Sequence, residues 1–174
     1  MIISQGVELF KCGVCIFTGT EEICCPCCGG RLKVHGTCLR KLRTADETKI
    51  YRLRVMECSE CGKTHRELPE SIVPYMRMDV NLLSAIAQAE RRNHLSLAET
   101  STWKRVKAWC DWFLCYSLNI MNSLTVQNED FSAVTTPGGG FGRQLMYFVR
   151  LVANSGNWIQ HRSAQRNQCD PAIL

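Results

Sequence analysis

The chain has 174 residues, 12 of them cysteine, and a formal net charge of +5. This length is enough to bury a core and suggests one or two domains. The first ten residues contain neither a basic start nor a long apolar stretch, and polar side chains interrupt the most apolar run, residues 112–126. The composition therefore argues against a secreted disulfide scaffold and against a membrane span. It predicts a cytoplasmic protein whose thiols stay reduced and are available to metal.

The first cysteine motif in chain order is Cys12-Gly-Val-Cys15, which follows a stretch at 7–10 that fits a short strand. No glycine follows this motif, and no matching pair is evident. Two core thiols are therefore slightly favoured over two metal ligands. A second metal site in which Cys24 and Cys27 join this pair stays open as the alternative.

Two further Cys-x-x-Cys motifs are each followed by glycine, a spacing that is typical of zinc knuckles. The motifs are Cys25-Pro-Cys-Cys28-Gly and Cys58-Ser-Glu-Cys61-Gly. Glycine relieves crowding where the backbone turns after the second cysteine, and four thiolates at tetrahedral spacing suit Zn²⁺. The overlapping pair Cys24 and Cys27 is also available. Cys25 and Cys28 are preferred because Gly29 follows them directly.

The segments between these motifs predict a β-hairpin. Residues 31–36 and 49–56 both alternate basic with apolar side chains, as half-buried strands do. The second segment leads directly into Cys58. Two knuckles on antiparallel strands make a zinc ribbon, with Cys25, Cys28, Cys58 and Cys61 as the predicted Zn²⁺ ligands.

The charge is concentrated around this hairpin. Between residues 25 and 66, ten basic and four acidic side chains leave a local charge of +6. Such an excess attracts phosphate backbones, although a solvated basic surface without a specific partner is the simpler explanation. We expect Arg52 and Arg54, which share one strand face, to contact DNA together with Lys104 and Arg105 on a later helix.

The stretch after the hairpin is predicted to be extended, and helices follow it. Pro69 and Pro74 remove backbone donors from a linker laid over the surface. Asp79 is a good N-cap for a helix that ends near residues 92–93, and a short helix fits 96–99. A longer helix then begins near Thr100. Its apolar stripe contains Trp103, Val106, Cys110, Phe113 and Ser117, while Lys104, Arg105 and Ala108 face outward.

This order of helices is that of a helix-turn-helix, although an ordinary helical core with a basic polar face fits the pattern equally well. A glycine-rich break precedes a last helix over 143–154, with Gly156 as its stop.

The predicted fold is α+β, with a small N-terminal zinc ribbon, an all-α helix-turn-helix region and a C-terminal helix. The predicted units are the ribbon with its N-terminal extension (1–67), the linker (68–78), the helix-turn-helix (79–126), the glycine-rich loop (127–142), and the C-terminal helix and tail (143–174).

Three stretches together resemble the amino-terminal zinc ribbon of insertion-sequence transposases. They are Cys25-Pro-Cys-Cys-Gly-Gly, Tyr51 through Gly62, and Leu68-Pro-Glu-Ser-Ile-Val-Pro-Tyr75. The chain is more similar still to a family of short, uncharacterised bacterial proteins, common in Firmicutes, that carry this ribbon without a catalytic domain. The later Ser101-Thr102-Trp103-Lys104-Arg105 is a shuffled form of the motif in the helices of these proteins. The resemblance implies DNA binding associated with mobile elements.

Catalysis is not predicted. A transposase needs three carboxylates that hold two Mg²⁺ ions, and the acids from the long helix onward do not form such a set. They are Asp111, Glu129, Asp130 and Asp170. The predicted function is therefore non-catalytic binding of double-stranded DNA. The alternative is a zinc-stabilised adaptor that binds another protein.

Overall fold

A computed structural model describes residues 1–89, 98–127 and 139–158. These residues form six strands and three helices. The strands are β1 (Ile2–Ser4), β2 (Gly6–Lys11), β3 (Val14–Gly19), β4 (Leu32–Arg43), β5 (Thr48–Cys58) and β6 (Thr64–Pro69), and the helices are α1 (Val80–Gln88), α2 (Thr100–Gln127) and α3 (Phe141–Asn154).

Strand β5 is the centre of the sheet. Its whole length pairs antiparallel with β4, from Leu32↔Cys58 to Arg43↔Thr48. Its other edge is shared, because β3 pairs parallel with the first half of β5 and β6 pairs antiparallel with the second half. Strand β2 extends β3, and β1 extends β6 in parallel. The predicted β-hairpin is thus present inside a six-stranded sheet.

The alternation of β5 divides its side chains between two faces. Tyr51 and Leu53 are buried in the core, whereas Arg52 is exposed on the opposite face. The pairing with β4 is regular except for a β-bulge between Val34 and Gly36. The bulge displaces His35, whose Nδ1 lies 2.9 Å from a carboxylate oxygen of Glu57.

Each helix packs with the apolar face that its sequence indicates. Asp79 caps α1 as predicted, because its side chain accepts a 2.8 Å hydrogen bond from the amide of Leu82. Val106, Cys110 and Phe113 on α2 are buried, and Lys104, Arg105 and Ala108 face outward. The buried residues of α3 are Leu145, Phe148, Val149, Val152 and Ala153.

One hydrophobic core joins the sheet to the helices. It contains Phe17 from β3, Leu42 from β4 and Leu53 from β5, together with the apolar faces of all three helices. The segment between β6 and α1, predicted to be a surface linker, contributes Ile72 and Val73, which are fully buried. Asn154 fastens α3 to β1, since its amide group accepts a hydrogen bond from Ile3 N and donates one to Ile3 O.

The predicted fold class is wrong. The residues that the structure describes form neither a separate N-terminal zinc ribbon nor a helix-turn-helix region, but one sheet of six strands with three helices. A lone hairpin would leave the backbone groups along an edge of β5 without partners, and β3 and β6 supply those partners. The buried face of β5 also needs an apolar cover, which the helices provide.

Parts of the earlier helical predictions lie outside the described residues. These parts are most of the short helix at 96–99, much of the glycine-rich loop and the tail after 158. The first helix ends earlier than predicted, at Gln88 and not at 92–93, because the backbone of Ala89 is extended. Gly156 has a φ of +78° two residues after α3 ends, which agrees with its predicted role as a stop. Among the helices described, none combines the length and apolar character needed to cross a membrane.

Candidate functional site

The first Cys-x-x-Cys motif is a tight turn that leads into β4. The amide of Gly29 donates a 2.8 Å hydrogen bond to the carbonyl of Cys25, and the Cys25 amide donates one of 2.8 Å to the carbonyl of Gly30. Gly29 has a φ of +76°, the left-handed region that glycine adopts without strain. This turn brings Cys25 and Cys28 to the same side of the backbone.

The second motif repeats this pattern at the end of β5. The amide of Gly62 donates to the carbonyl of Cys58, and the Cys58 amide donates to the carbonyl of Lys63, both at 3.0 Å. Gly62 has a φ of +66°. The two turns are joined directly, because Ser59 N donates a 3.0 Å hydrogen bond to the carbonyl of Arg31. Pairing of β4 with β5 therefore determines how the two turns face each other.

The sulfurs of Cys25, Cys28, Cys58 and Cys61 all lie within 4.8 Å of one another, close enough to hold one metal ion. The Cys25 and Cys61 sulfurs are 3.7 Å apart, and those of Cys28 and Cys58 are 3.5 Å apart. Two sulfurs bound at about 2.3 Å to one tetrahedral ion lie ~3.8 Å apart. The cluster thus has the dimensions of a closed tetrahedral thiolate site.

Two thiols of the cluster, those of Cys28 and Cys58, differ in pKa. A hydrogen bond from the backbone amide of Cys61 lowers the pKa of Cys58 to about 7. The Gly30 amide favours the Cys28 thiolate, but hydrogen bonds with the sulfurs of Cys58 and Cys61 outweigh it and raise the pKa of Cys28 to about 12. One thiolate forms readily, and the repulsion it creates opposes the next. A cation that binds all four sulfurs must therefore displace protons.

A second, smaller set of ligands overlaps the first at Cys25. Donor atoms of Cys25, Cys27 and His65 also lie within 4.8 Å of one another. His65 Nε2 is 3.3 Å from the Cys25 sulfur, and burial lowers the pKa of this histidine, so the neutral imidazole is favoured. A neutral ring can donate a hydrogen bond to a Cys25 thiolate. If Cys25 binds a metal, this hydrogen bond would orient its sulfur, and His65 would act without being one of the four ligands.

The other cysteines considered for a second site do not converge. Within the described ranges, Cys12, Cys15 and Cys24 belong to no group of three or more metal-ligating side chains. Cys15 is buried and its thiol donates a 3.4 Å hydrogen bond to Glu8. Cys15 is therefore a core thiol, as the sequence favoured. The same expectation for Cys12 is wrong, because this residue is exposed.

Two glycines lie so close to the cluster that a side chain on either one would clash with neighbouring atoms. A Cβ on Gly30 would lie 2.6 Å from the carboxyl carbon of Glu60 and 3.0 Å from the Cys58 sulfur. A Cβ on Gly156 would lie 2.3 Å from the carbonyl oxygen of Pro26, inside the first turn. The end of α3 thus packs against the metal-ligating turn, a contact that the local sequence does not reveal.

The four residues predicted to contact DNA do not lie together. Arg52 is exposed on the sheet face opposite the core, whereas Lys104 and Arg105 are exposed near the start of α2. Arg105 lines a cleft of about 510 Å³ whose wall also includes Tyr75 and Arg77. Arg105 thus shares a cleft with Arg77, which the sequence had not singled out.

Arg54 has an intramolecular partner instead of an open surface. Its guanidinium contacts the carboxylate of Glu67 at 2.6 and 2.8 Å and donates a 2.9 Å hydrogen bond to the carbonyl of Gly19. The side chain of Glu67 is only 2 % exposed. A Cβ on Gly19 would fall 2.2 Å from this carboxylate, so the glycine permits the close approach. Arg54 therefore ties β5 to β6 and β3.

Comparison with known proteins gives a partial match. Residues 25–106 match the model of a domain of unknown function, DUF6431. The match begins at the first cysteine of the cluster, ends within α2 and covers somewhat less than half of the chain. No curated protein and no solved structure shows significant similarity to this chain.

Proposed function

We propose that this chain is a non-catalytic, zinc-stabilised protein that binds double-stranded DNA. The observation that supports this proposal most directly is the excess of basic side chains on the surface of residues 31–77. Within residues 31–77, eight exposed side chains are basic and three are acidic. The exposed basic residues are Arg31, Lys33, Lys41, Arg43, Lys63, Arg52, Arg66 and Arg77.

Zinc is the metal that suits the cluster best. Tetrahedral sets of four thiolates select zinc or iron–sulfur chemistry, and sets supplied entirely by the protein are typical of structural zinc. All four ligand positions belong to cysteines, which leaves no open coordination position for a reacting water. In this role the ion crosslinks the turn before β4 to the turn after β5. Metal analysis of the purified protein distinguishes zinc from iron.

Exposed cations favour a polyanionic partner for a simple electrostatic reason. Each phosphate that a lysine or arginine neutralises releases condensed counterions, so binding weakens steeply as salt is added. Lys104 and Arg105 lie in the first turns of α2, where the positive end of the helix dipole adds to their charge. The resemblance of the cysteine motifs to those of transposases supports DNA as the polyanion and suggests a link with mobile elements.

We infer no catalytic step. Asp111 is an exposed residue on α2, and Glu129, Asp130 and Asp170 lie outside the described residues. The proposed mechanism is binding alone, in which the ion and the core hold a basic surface in a fixed shape.

The test is a titration of zinc-loaded protein with duplex DNA at several salt concentrations. The surface variant Lys104→Gln/Arg105→Gln is compared with Lys11→Gln/Arg143→Gln, which removes the same charge from exposed positions on β2 and α3. We expect affinity to fall with salt and to be lower in the surface variant. DNA binding that is indifferent to salt, or equal losses in the two variants, would contradict the proposal.

Arg52 needs a separate variant because it lies on the opposite side of the sheet from the helices. Arg52→Gln reduces duplex affinity if the DNA contacts the free sheet face, whereas an unchanged affinity assigns binding to the helical side. Arg54 is left out of this comparison, since removing it would leave the buried carboxylate of Glu67 without its partner.

One observation favours the second candidate function, an adaptor that binds another protein. Strand β2 is exposed along its length, and the side chains of Val7, Leu9 and Phe10 are 61, 60 and 72 % exposed. An edge strand with apolar side chains can pair with an extended segment of a partner. Salt separates the two functions, because an apolar contact responds little to salt.

A further inference from the structure

A basic cleft opens on the sheet face that carries the core. Met1, whose amino group lies 3.3 Å from His65 Nδ1, also lines it. The cleft has a volume of about 560 Å³, within the range of about 300–1,000 Å³ that is typical of small-molecule sites. Its floor includes Cys38 and Leu53, and the segment between β6 and α1 forms one wall. The cationic residues that line it are Arg40, Lys41, Arg66 and Arg77.

The positions of the arginines follow from strand register. Arg40 on β4 pairs with Tyr51, and Arg66 on β6 pairs with Val55, so both point to the same face as Leu53 between them. Arg77 reaches this region from the loop before α1, where its carbonyl accepts a 2.7 Å hydrogen bond from the amide of Arg43. Two strands and one loop therefore bring three guanidinium groups to one cleft.

Arg40 is held in place by the protein itself. Its Nη2 donates hydrogen bonds to the carbonyl oxygens of Val73 and Met76. Burial lowers the pKa of Arg40, and the neighbouring charge of Arg66 lowers it further. Arg40 is thus a fixed, partly desolvated cation that faces a second cation.

No carboxylate balances these charges from within the described part of the chain. None of the residues that line the cleft is Asp or Glu, and neither Arg40, Arg66 nor Arg77 takes part in an ion pair there. By contrast, Arg54 and Arg150 are paired with glutamates. Guanidinium groups that converge without an acid are suited to a phosphate, whose oxygens they contact in pairs.

An aromatic ring lies at the edge of the same cleft. Tyr75 is 56 % exposed and lines both this cleft and the adjoining one that contains Arg105. Its backbone has a φ of +64°, a left-handed conformation that is rare for a non-glycine residue. Exposed aromatic rings beside arginines provide stacking surfaces for bases.

We propose that this cleft binds one nucleotide, with its phosphate between Arg40, Arg66 and Arg77 and its base against Tyr75. The nucleotide is either a free mononucleotide or one unit of a nucleic-acid strand, since both present the same phosphate and base. In its strand form the site rests on the proposed function and adds a recognition pocket to it. If the ligand is a free mononucleotide, the site is independent of DNA binding.

The test uses the zinc-loaded full chain with five probes, which are dAMP, deoxyadenosine, inorganic phosphate, a short single strand and a duplex. The cleft variant is Arg66→Gln/Arg77→Gln, and both residues are exposed, so the fold should tolerate the change. Lys11→Gln/Arg143→Gln is the control with equal charge, because neither of its residues lines the cleft. Zinc content and thermal unfolding establish that each variant is folded.

We expect dAMP to bind the parent and the control alike and to bind the cleft variant about tenfold more weakly or worse, since charge-assisted hydrogen bonds are lost. Deoxyadenosine, which lacks the phosphate, should bind weakly to all three proteins. A loss in the cleft variant that appears only with the single strand assigns the site to strands. Equal binding of dAMP and of the single strand to the cleft variant and the control overturns the proposal.

Tyr75→Ala provides an independent variant should the cleft variant fail to fold. It should weaken dAMP binding while leaving inorganic phosphate binding unchanged, and Tyr75→Phe should restore dAMP binding. Unchanged binding of both dAMP and the single strand to Tyr75→Ala would show that no base stacks on this ring and would contradict the proposed site. If the parent binds no duplex but its binding of dAMP depends on the cleft, the proposed function fails and the nucleotide site stands. If duplex binding depends on Lys104 and Arg105 alone, and neither dAMP binding nor single-strand binding depends on the cleft, the proposed function stands and the nucleotide site fails.

Discussion

The two ends of the β4–β5 hairpin are held together by different forces. At one end, where Leu32 pairs with Cys58, the strands meet beside four sulfurs. At the other end Leu42, Tyr51 and Leu53 are buried in the core that the sheet shares with the helices. Apolar burial needs no ligand, whereas in the proposed function the cysteine end also depends on a bound ion. We therefore expect the cysteine end to open when metal is withdrawn while the other end stays folded.

The largest effect should come from Cys58→Ser, which removes a ligand from the cysteine end alone. Structural zinc contributes on the order of 10 kcal/mol to small metal modules. Zinc content should fall, and amide hydrogen exchange should accelerate in both Cys-x-x-Cys turns but not in α1. Cys115→Ser, at an exposed position on α2, is the control. Full zinc content in Cys58→Ser would show that Cys58 is not a zinc ligand, and the metal could then not account for the difference between the two ends.

Phe113→Ala tests the opposite end, because this ring is fully buried in the core and stacks on Trp109. Truncating a buried Phe to Ala typically costs about 3–5 kcal/mol. Denaturant unfolding at saturating zinc should show this loss, with the zinc content of the folded protein unchanged. Leu118→Ala, on an exposed position of the same helix, should cost much less. Equal losses in the free energy of unfolding for Phe113→Ala and Leu118→Ala would mean that the helices do not stabilise the core end of the hairpin.

Glu67→Gln tests the middle of the sheet, where β5 meets β6. The change leaves the guanidinium of Arg54 without its carboxylate and should cost about 1.5–3 kcal/mol, the value of a hydrogen bond to a charged group. Adding Arg54→Met should recover part of the loss, since removing both charges is less costly than leaving one unpaired. A double-mutant cycle measures this coupling. Additive effects would show that the two residues do not stabilise each other.

Asp79→Ala should have the smallest effect of the four. It removes the side chain that accepts a hydrogen bond from Leu82 N at the start of α1, and such caps are worth about 1 kcal/mol. Thermal unfolding measures the change, with Asp111→Ala on the exposed face of α2 as control. Loss of zinc in Asp79→Ala would indicate that the two ends of the hairpin are coupled more tightly than we infer.

The sequence predicts the features that depend on neighbours along the chain. The paired Cys-x-x-Cys motifs indicated the four clustered cysteines, and alternation over 49–56 indicated strand β5. Helical spacing identified the buried side of α3, and Asp79 marked the start of α1. In each case the signal lies within one turn, one strand or one helix.

The remaining features depend on partners that are distant in sequence. Strand β1 pairs with β6, so that Ile2 lies opposite Glu67, and nothing in the three residues of β1 indicates this partner. The alternation that predicts a common face for Arg52 and Arg54 cannot reveal that only Arg54 meets Glu67. His65 likewise reaches Cys25 through the pairing of β5 with β6, which no spacing rule encodes.

The pair of hydrogen bonds between Ile3 and Asn154 joins residues that are 151 positions apart. Synthesis proceeds from the N-terminal end, so β1 leaves the ribosome long before α3 exists to cover it. The cysteine turns and the β4–β5 pairing require much shorter loops and can form earlier. Docking of α3 is therefore expected to be a late step of folding. Until it occurs, Ile2 and Ile3 lack part of their cover, and a nascent chain is most exposed to proteolysis and aggregation during this interval.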